Sequence, residues 1–316
     1  MTPSVVLAHE FGHAIQARAG VEAPSVVREL QADCFAGAWV AFAQRSSADP
    51  VSVAASALDT SVRALPALRD QPGTAATNPQ AHGLAFDRVN AYQTGYEEGA
   101  ERCARFPRGD VAVTELPFDT VAEAQSGGNL PYRDTVQFAV DSLDGYWPAA
   151  LPGLGAGTEW QDPNPTSVGD RPLPPCSGDE GYDPAAVAAY CASSNDVVWS
   201  DATLAQVHAA LGDVGAASAL SLAWARSGQV QAGIPDSGVA AQLQQVCATG
   251  AWLASLGSNS STVSLSPGDI DEGLFAALSP LAPGQTKEVE GSSFERADAY
   301  RKGLLGGLER CAVPTG

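Results

Sequence analysis

At 316 residues, with 45% hydrophobic residues, the chain is long enough for two globular domains and too apolar for a disordered one. A formal net charge of −19 argues against nucleic acid or an anionic membrane surface as partner, since both reward Lys and Arg clusters, and it suits a protein working outside the cell. No apolar run reaches the roughly 18 residues that a spanning helix needs, so no transmembrane segment is expected.

The first ten residues, MTPSVVLAHE, show no basic n-region, no long apolar h-region and no small-residue cleavage site, so no secretion signal is visible in this chain. Residues 4–18 read as a helix ended near Gly20. Residues 25–46 read as a second, with Ser25 as N-cap and Glu29 in its early turns. A third is expected after Asp49-Pro50 and a fourth over about 85–104. The segment 106–181 is rich in Pro, Gly and Asp and reads as linker plus irregular structure. Asp196–Ser200 reads as a short strand, followed by a helix over about Ala217–Ala232. The expected class is mainly α with minor β.

The chain contains an internal repeat. ELQADCFAGAWVA (Glu29–Ala41) reappears as QLQQVCATGAWLA (Gln242–Ala254), and FDRVNAYQTGYEEGAERC (Phe86–Cys103) as FERADAYRKGLLGGLERC (Phe294–Cys311). ADPVSVAASAL after Ser47 matches LSPGDIDEGLFAAL from Leu265 between them, so three blocks recur in one order and two related domains follow. LAHEFGHAIQ (Leu7–Gln16) is matched to LAWARSGQVQ (Leu222–Gln231), which sets Trp224, Ala225 and Gly228 opposite His9, Glu10 and His13. Glu29 and Asp33 face Gln242 and Val246. The second copy is expected to have kept a core and lost the chemistry.

That chemistry is a zinc site. His9 and His13 stand one turn apart on one helix face, so both imidazoles can aim at one metal. Glu10, beside the first ligand, can take the proton of a zinc-activated water as general base. Glu29, sixteen residues after His13, supplies the third ligand, and Asp33 one turn later orients a ligand imidazole. Val5, Val6, Phe11 and Ile15 are expected on the buried side of the helix, with Gly12 leaving room for close packing. His82 faces Glu290 in the copy without ligands, which gives it a candidate role on the scissile carbonyl or oxyanion; an idle loop histidine is the alternative. Tyr96 reads as packing with a lesser claim to the same role, and Arg88, kept as Arg296, as half of a structural ion pair.

HEFGHAIQ followed by ELQADCFAG resembles the neutral zinc metallopeptidases, bacterial metalloproteases often exported by actinobacteria. The resemblance extends to HGLAFDRVNAYQTGYEEGAERC and to PPCSG…YCASSNDVVWSD, the stretch that normally precedes the HExxH helix. It implies zincin-like helical domains, His9, His13 and Glu29 as Zn2+ ligands, Glu10 as catalytic base, and a protein or peptide substrate. The expected domains are a catalytic one over 1–105, a linker over 106–133 and a degenerate, metal-free one over 134–316. Unit one begins almost at its active-site helix, so the expectation is a domain lacking its N-terminal part, binding zinc yet cleaving extended substrates poorly. The competing reading is a non-catalytic extracytoplasmic binding or scaffold protein with a residual zinc site. The six cysteines avoid CxxC spacing and favour disulfides in an oxidising compartment, with buried free thiols as the alternative. The repeats pair Cys34 with Cys103 and Cys247 with Cys311, which leaves Cys176 with Cys191.

Overall fold

The computed structural model describes residues 3–45, 53–54, 56–179, 181–258, 265–279 and 290–312. The chain is mainly α with minor β and divides into two compact units, Met1–Gly127 and Gly128–Gly316.

Unit one holds α1 (Pro3–Ala19), α2 (Ser25–Arg45), α3 (Ser56–Ala64), α4 (Ala85–Glu98), α5 (Ala100–Cys103) and α6 (Val121–Ser126). Gly20, at φ 64°, stops α1 in a left-handed conformation that a side chain would strain. The expected fourth helix is split: Gly99, at φ 82°, breaks it into α4 and α5. The start expected after Asp49-Pro50 lies outside the described residues, and α3 is described from Ser56. The first half of the expected linker packs on unit one. Val111 and Val113 lie against the cluster of Val26, Leu30, Cys34 and Phe106, and Thr114 donates its N–H to Asp87 at 2.9 Å.

Unit two holds α7 (Tyr132–Ala150), β1 (Asn164–Ser167), β2 (Ala188–Cys191), β3 (Asp196–Trp199), α8 (Asp201–Leu211), α9 (Asp213–Ala232), α10 (Val239–Ser258), α11 (Asp269–Leu278) and α12 (Ser293–Gly306). The three strands form one sheet in the order β1-β3-β2, with β1 parallel and β2 antiparallel to β3. The 19-residue helix α7 occupies part of the stretch expected to be irregular. Its buried Thr135, Ala139, Leu143 and Trp147 recur every four residues, a helical period that the surrounding Pro and Gly outweighed in the sequence. Ser292 and Glu295 form a reciprocal capping box that starts α12.

Each unit is built on the same cross-braced helix pair. A Cβ on Gly37 would collide with the carbonyl of Tyr92, and one on Gly95 with that of Cys34, so α2 and α4 touch backbone to backbone. Gly250 meets Tyr300 and Gly303 meets Cys247 in the same way between α10 and α12. Disulfides Cys34–Cys103 and Cys247–Cys311, each with 5.6 Å between Cα atoms, brace the two pairs, and Cys176–Cys191 closes a loop in unit two. These are the pairs that the repeats gave. No described helix is long and apolar enough to cross a membrane, and the three disulfides fit an oxidising environment.

Candidate metal centre

The ExxAD segment lies on α2 and the HExxH segment on α1, and Gly12 lets the two approach. A Cβ there would stand 2.9 Å from the Cα of Ala32. His9, His13, Gly12 and Gln16 therefore face α2, where Glu29 and Asp33 wait one turn apart. His9 and Glu29 approach to 3.4 Å, as do His13 and Glu29, and the two histidine Nε2 atoms stand 3.1 Å apart.

Both imidazole tautomers follow from their outer partners. His9 Nδ1 lies 2.8 Å from Asp33 Oδ1, and a carboxylate only accepts, so Nδ1–H donates. Asp33 is buried and gripped by Arg88, whose Nε and Nη2 donate at 2.7 and 3.1 Å. His13 donates Nδ1–H to Gln16 Oε1 at 2.9 Å, the amide being oriented by its own donation to the Arg28 carbonyl at 2.6 Å. Both Nε2 lone pairs are left aimed at one point beside the Glu29 carboxylate. Two lone pairs 3.1 Å apart repel unless a cation lies between them. Around a tetrahedral ion with ligands at about 2.0–2.1 Å, neighbouring donor atoms stand about 3.3–3.4 Å apart. The two imidazole nitrogens stand near that spacing, and each lies 3.4 Å from one of the two Glu29 oxygens, so the residues present fit a metal ion.

The charged groups of the cluster also shift one another. Burial lowers the His9 pKa, but hydrogen bonds to Asp33 and Glu29 outweigh it and raise the group to about 9. Burial raises the Glu29 pKa, and its His9 and His13 neighbours overcome that and hold it below the usual carboxylate range. Burial likewise raises that of Asp33, and the Arg88 guanidinium and His9 together overcome it and hold the carboxyl below its usual range.

Glu10 is exposed on α1, between the histidines in sequence. His82 lies on the loop before α4, half exposed, 3.5 Å from Asp70, and its charge helps lower the Glu29 pKa. Tyr96 gives its hydroxyl to Gln44 at 3.1 Å. Gln16 is a site residue that sequence reasoning missed; its spacing of three from His13 on a helix was the available signal. The buried-side expectation for α1 is corrected: Val5 is buried, but Val6, Phe11 and Ile15 are exposed, Phe11 by 67%.

The structure also corrects the matching of α9 to α1. Gln16 donates to the carbonyl of Arg28, and Gln229 donates to that of Ala241 at 2.9 Å, each twelve residues on in the next helix. The conserved spacing from Cys34 and Cys247 sets the same register. The true counterparts of His9, Glu10 and His13 are Leu222, Ala223 and Arg226, two residues earlier than expected. Trp224 matches Phe11 and packs under α7, where its indole donates to Asp144 at 2.9 Å. Arg226 stands in the place of His13 and binds Asp179, Asp236 at 2.7 Å, and the Tyr190 carbonyl. Arg296, the counterpart of Arg88, has Val246 in place of Asp33 and donates to the carbonyls of Ala277, Leu278 and Gly291.

Two further carboxylate or sulfur clusters exist among the described residues. Asp213, Asp269 and Glu272 converge at the start of α9, where Asp213 and Glu272 accept the Val214 N–H. Cys176 and Cys191, near Asp179, are consumed by their disulfide.

Fold and site together define a two-unit helical protein in which unit one carries a His2Glu cluster able to hold a metal ion. The chain is similar to uncharacterized proteins of Mycobacterium tuberculosis and Mycobacterium bovis, at 35% identity over 130 residues. The match covers 34% of this chain and 44% of each relative, so the chain spans less than half the length of the relatives it matches. No family model matches the chain, and no solved structure matches it.

Proposed function

We propose that unit one is a zinc-dependent metallopeptidase centre of the neutral zinc metallopeptidase type, acting on protein or peptide substrates outside the cytoplasm. The observation that carries this reading is the convergence of His9 Nε2, His13 Nε2 and Glu29 at 3.1–3.4 Å, with both outer nitrogens already donating. His9, His13 and Glu29 would hold the ion, and Zn2+ there would polarise water and a peptide carbonyl. Asp33 and Arg88 keep His9 in the ligating tautomer, and Gln16 does the same for His13. Glu10 takes the proton of the attacking water and returns it to the leaving amine. His82, on the loop beside Glu29, is the candidate donor to the carbonyl oxygen.

A second reading has its own support. Among the described residues of unit one there is no strand to pair with an extended substrate, which favours a binding or scaffold protein that keeps a residual zinc site. One experiment separates the two: zinc content and hydrolysis of an unstructured protein, on wild type and Glu10→Gln. A peptidase keeps its zinc in Glu10→Gln and loses at least about 10²-fold in turnover. A binding module holds zinc and hydrolyses nothing in either form.

A further inference from the structure

Unit two has lost the metal ligands but not the space in front of them. A groove of about 330 Å³ opens where the cluster of unit one would lie, floored by Leu222, Ala223 and Arg226 of α9 and by Gln242 and Val246 of α10. That volume lies within the range of sites that enclose small ligands. Strand β2 forms one wall and is an edge strand, paired among the described residues with β3 alone.

The direction of its backbone groups follows from two contacts. Tyr190 gives its carbonyl to Arg226 on α9, so its main-chain groups point away from β3. Trp199, opposite Ala188, gives its carbonyl to Val168 at 2.9 Å beside β1, so it does not pair with Ala188. Groups two residues apart on a strand share a side, which turns the N–H and C=O of Ala188 into the groove. Arg226, only 7% exposed, has its Nε without a partner among the described residues, and this buried polar group lines the same groove.

The charge around the groove selects the occupant. Three carboxylates, Asp183, Asp236 and Glu290, line it beside two guanidiniums, Arg226 and Arg296, and a fourth, Asp179, stands against Arg226. Two of the carboxylates already hold Arg226. The groove therefore favours positive charge, and a second copy of this chain, at −19, suits it poorly.

We propose that this groove is a peptide-binding site, in which an extended segment carrying a lysine or arginine pairs with the edge of β2 at Ala188. Main-chain pairing supplies the hold, and the acidic wall selects the basic side chain. Small residues along the wall and floor (Ala188, Ala189, Ala219 and Ala223) leave room for the backbone to come close. This inference stands apart from the zinc reading, because no ligand of unit one takes part in it.

The test uses the full chain in the Glu10→Gln background, so that hydrolysis by unit one cannot remove the probe. The probe is a fluorescein-labelled, amidated Ala-Ala-Lys-Ala-Ala peptide, followed by fluorescence polarisation, with circular dichroism to verify folding. The peptide should bind saturably. Ala188→Pro, which deletes one N–H at an edge position that tolerates proline, should weaken it about threefold to tenfold. Leu222→Trp, at a half-buried floor position, should abolish it. Replacing the probe's lysine by glutamate should weaken binding at least about tenfold. Absence of saturable binding, equal binding to both variants, or equal affinity for the glutamate peptide would each overturn the proposal.

Discussion

The two units share a helix pair, a disulfide and two glycine contacts, yet they differ on both faces of the helix that follows the same pattern. In unit two, α7 covers the outer face of α9, and Leu220 and Trp224 are fully buried. In unit one the matching Leu7 and Phe11 are 60% and 67% exposed. On the inner face the relation runs the other way. Unit one sets the two imidazoles of α1 against two carboxylates of α2, whereas unit two sets Leu222, Ala223 and Arg226 against α10. Shared packing thus preserves the braced pairs α2–α4 and α10–α12, while the preceding helix, α1 or α9, is free to change on each side.

The largest expected contrast lies on the outer face. Trp224→Ala should destabilise unit two by about 3–5 kcal/mol, because a fully buried indole and its bond to Asp144 disappear. Phe11→Ala, at the matching position, should stay within about 0.5 kcal/mol, since the ring is already in water. Denaturant unfolding of the two variants reads the difference directly. Equal losses would mean that the outer faces of α1 and α9 are not packed differently.

The inner face gives a contrast of similar size. Asp33→Ala strands the Arg88 guanidinium and the His9 imidazole in a buried site, at a cost of about 3–5 kcal/mol. Val246 fills the matching position in unit two without such a cost, because Leu222 replaces the histidine and Arg296 turns to main-chain carbonyls. The pair His9→Leu with Asp33→Val should therefore be less destabilised than the sum of the single variants, in a double-mutant cycle by denaturation. Strict additivity would show that the two residues act independently.

Much of this contrast was legible in the sequence, and the exceptions have physical causes. HExxH and ExxAD carry their own spacing, so His9, His13, Glu29 and Asp33 converge because i and i+4 share a helix face. The cysteine pairs followed from the repeat. The register of α9 did not, because Leu-Ala before Trp224 and the glutamine at 231 imitate the ends of LAHEFGHAIQ. Register is fixed by where a helix meets its neighbour, and the bond from Gln229 to the Ala241 carbonyl reports it, in agreement with the spacing to Cys247. Helix α7 was hidden by a proline at 148, which its last turn accommodates. The role of Arg226 depends on Asp179, 47 residues away, and no local pattern announces it.

A smaller contrast concerns the disulfides, whose loops are nearly the same length, at separations of 69 and 64 residues. Replacing either Cys34 and Cys103 or Cys247 and Cys311 by serine should cost about 2–4 kcal/mol, and nearly the same in both units. A large inequality in denaturant midpoints would show that the two braces are not equivalent.

A further contrast is the pH dependence that one buried carboxyl of unit two brings. Burial first, then the neighbouring Asp213 and Asp269, raises the Glu272 pKa to about 9. A carboxyl that is protonated when folded and ionised when unfolded adds stability that is fully present below its unfolded pKa of 4.5. That stability is lost as pH rises from there through about 9. Thermal melting of wild type against Glu272→Gln should show the variant losing less over that window; identical slopes would place the proton elsewhere in the cluster.

The most direct test of the central claim is the zinc content of the purified, dialysed chain by mass spectrometry, measured beside His13→Ala and Gln242→Ala. One tightly held zinc per chain, lost in His13→Ala and retained in Gln242→Ala, is the expected result. Two equivalents, or one that survives His13→Ala, would contradict the assignment of a single metal centre to His9, His13 and Glu29.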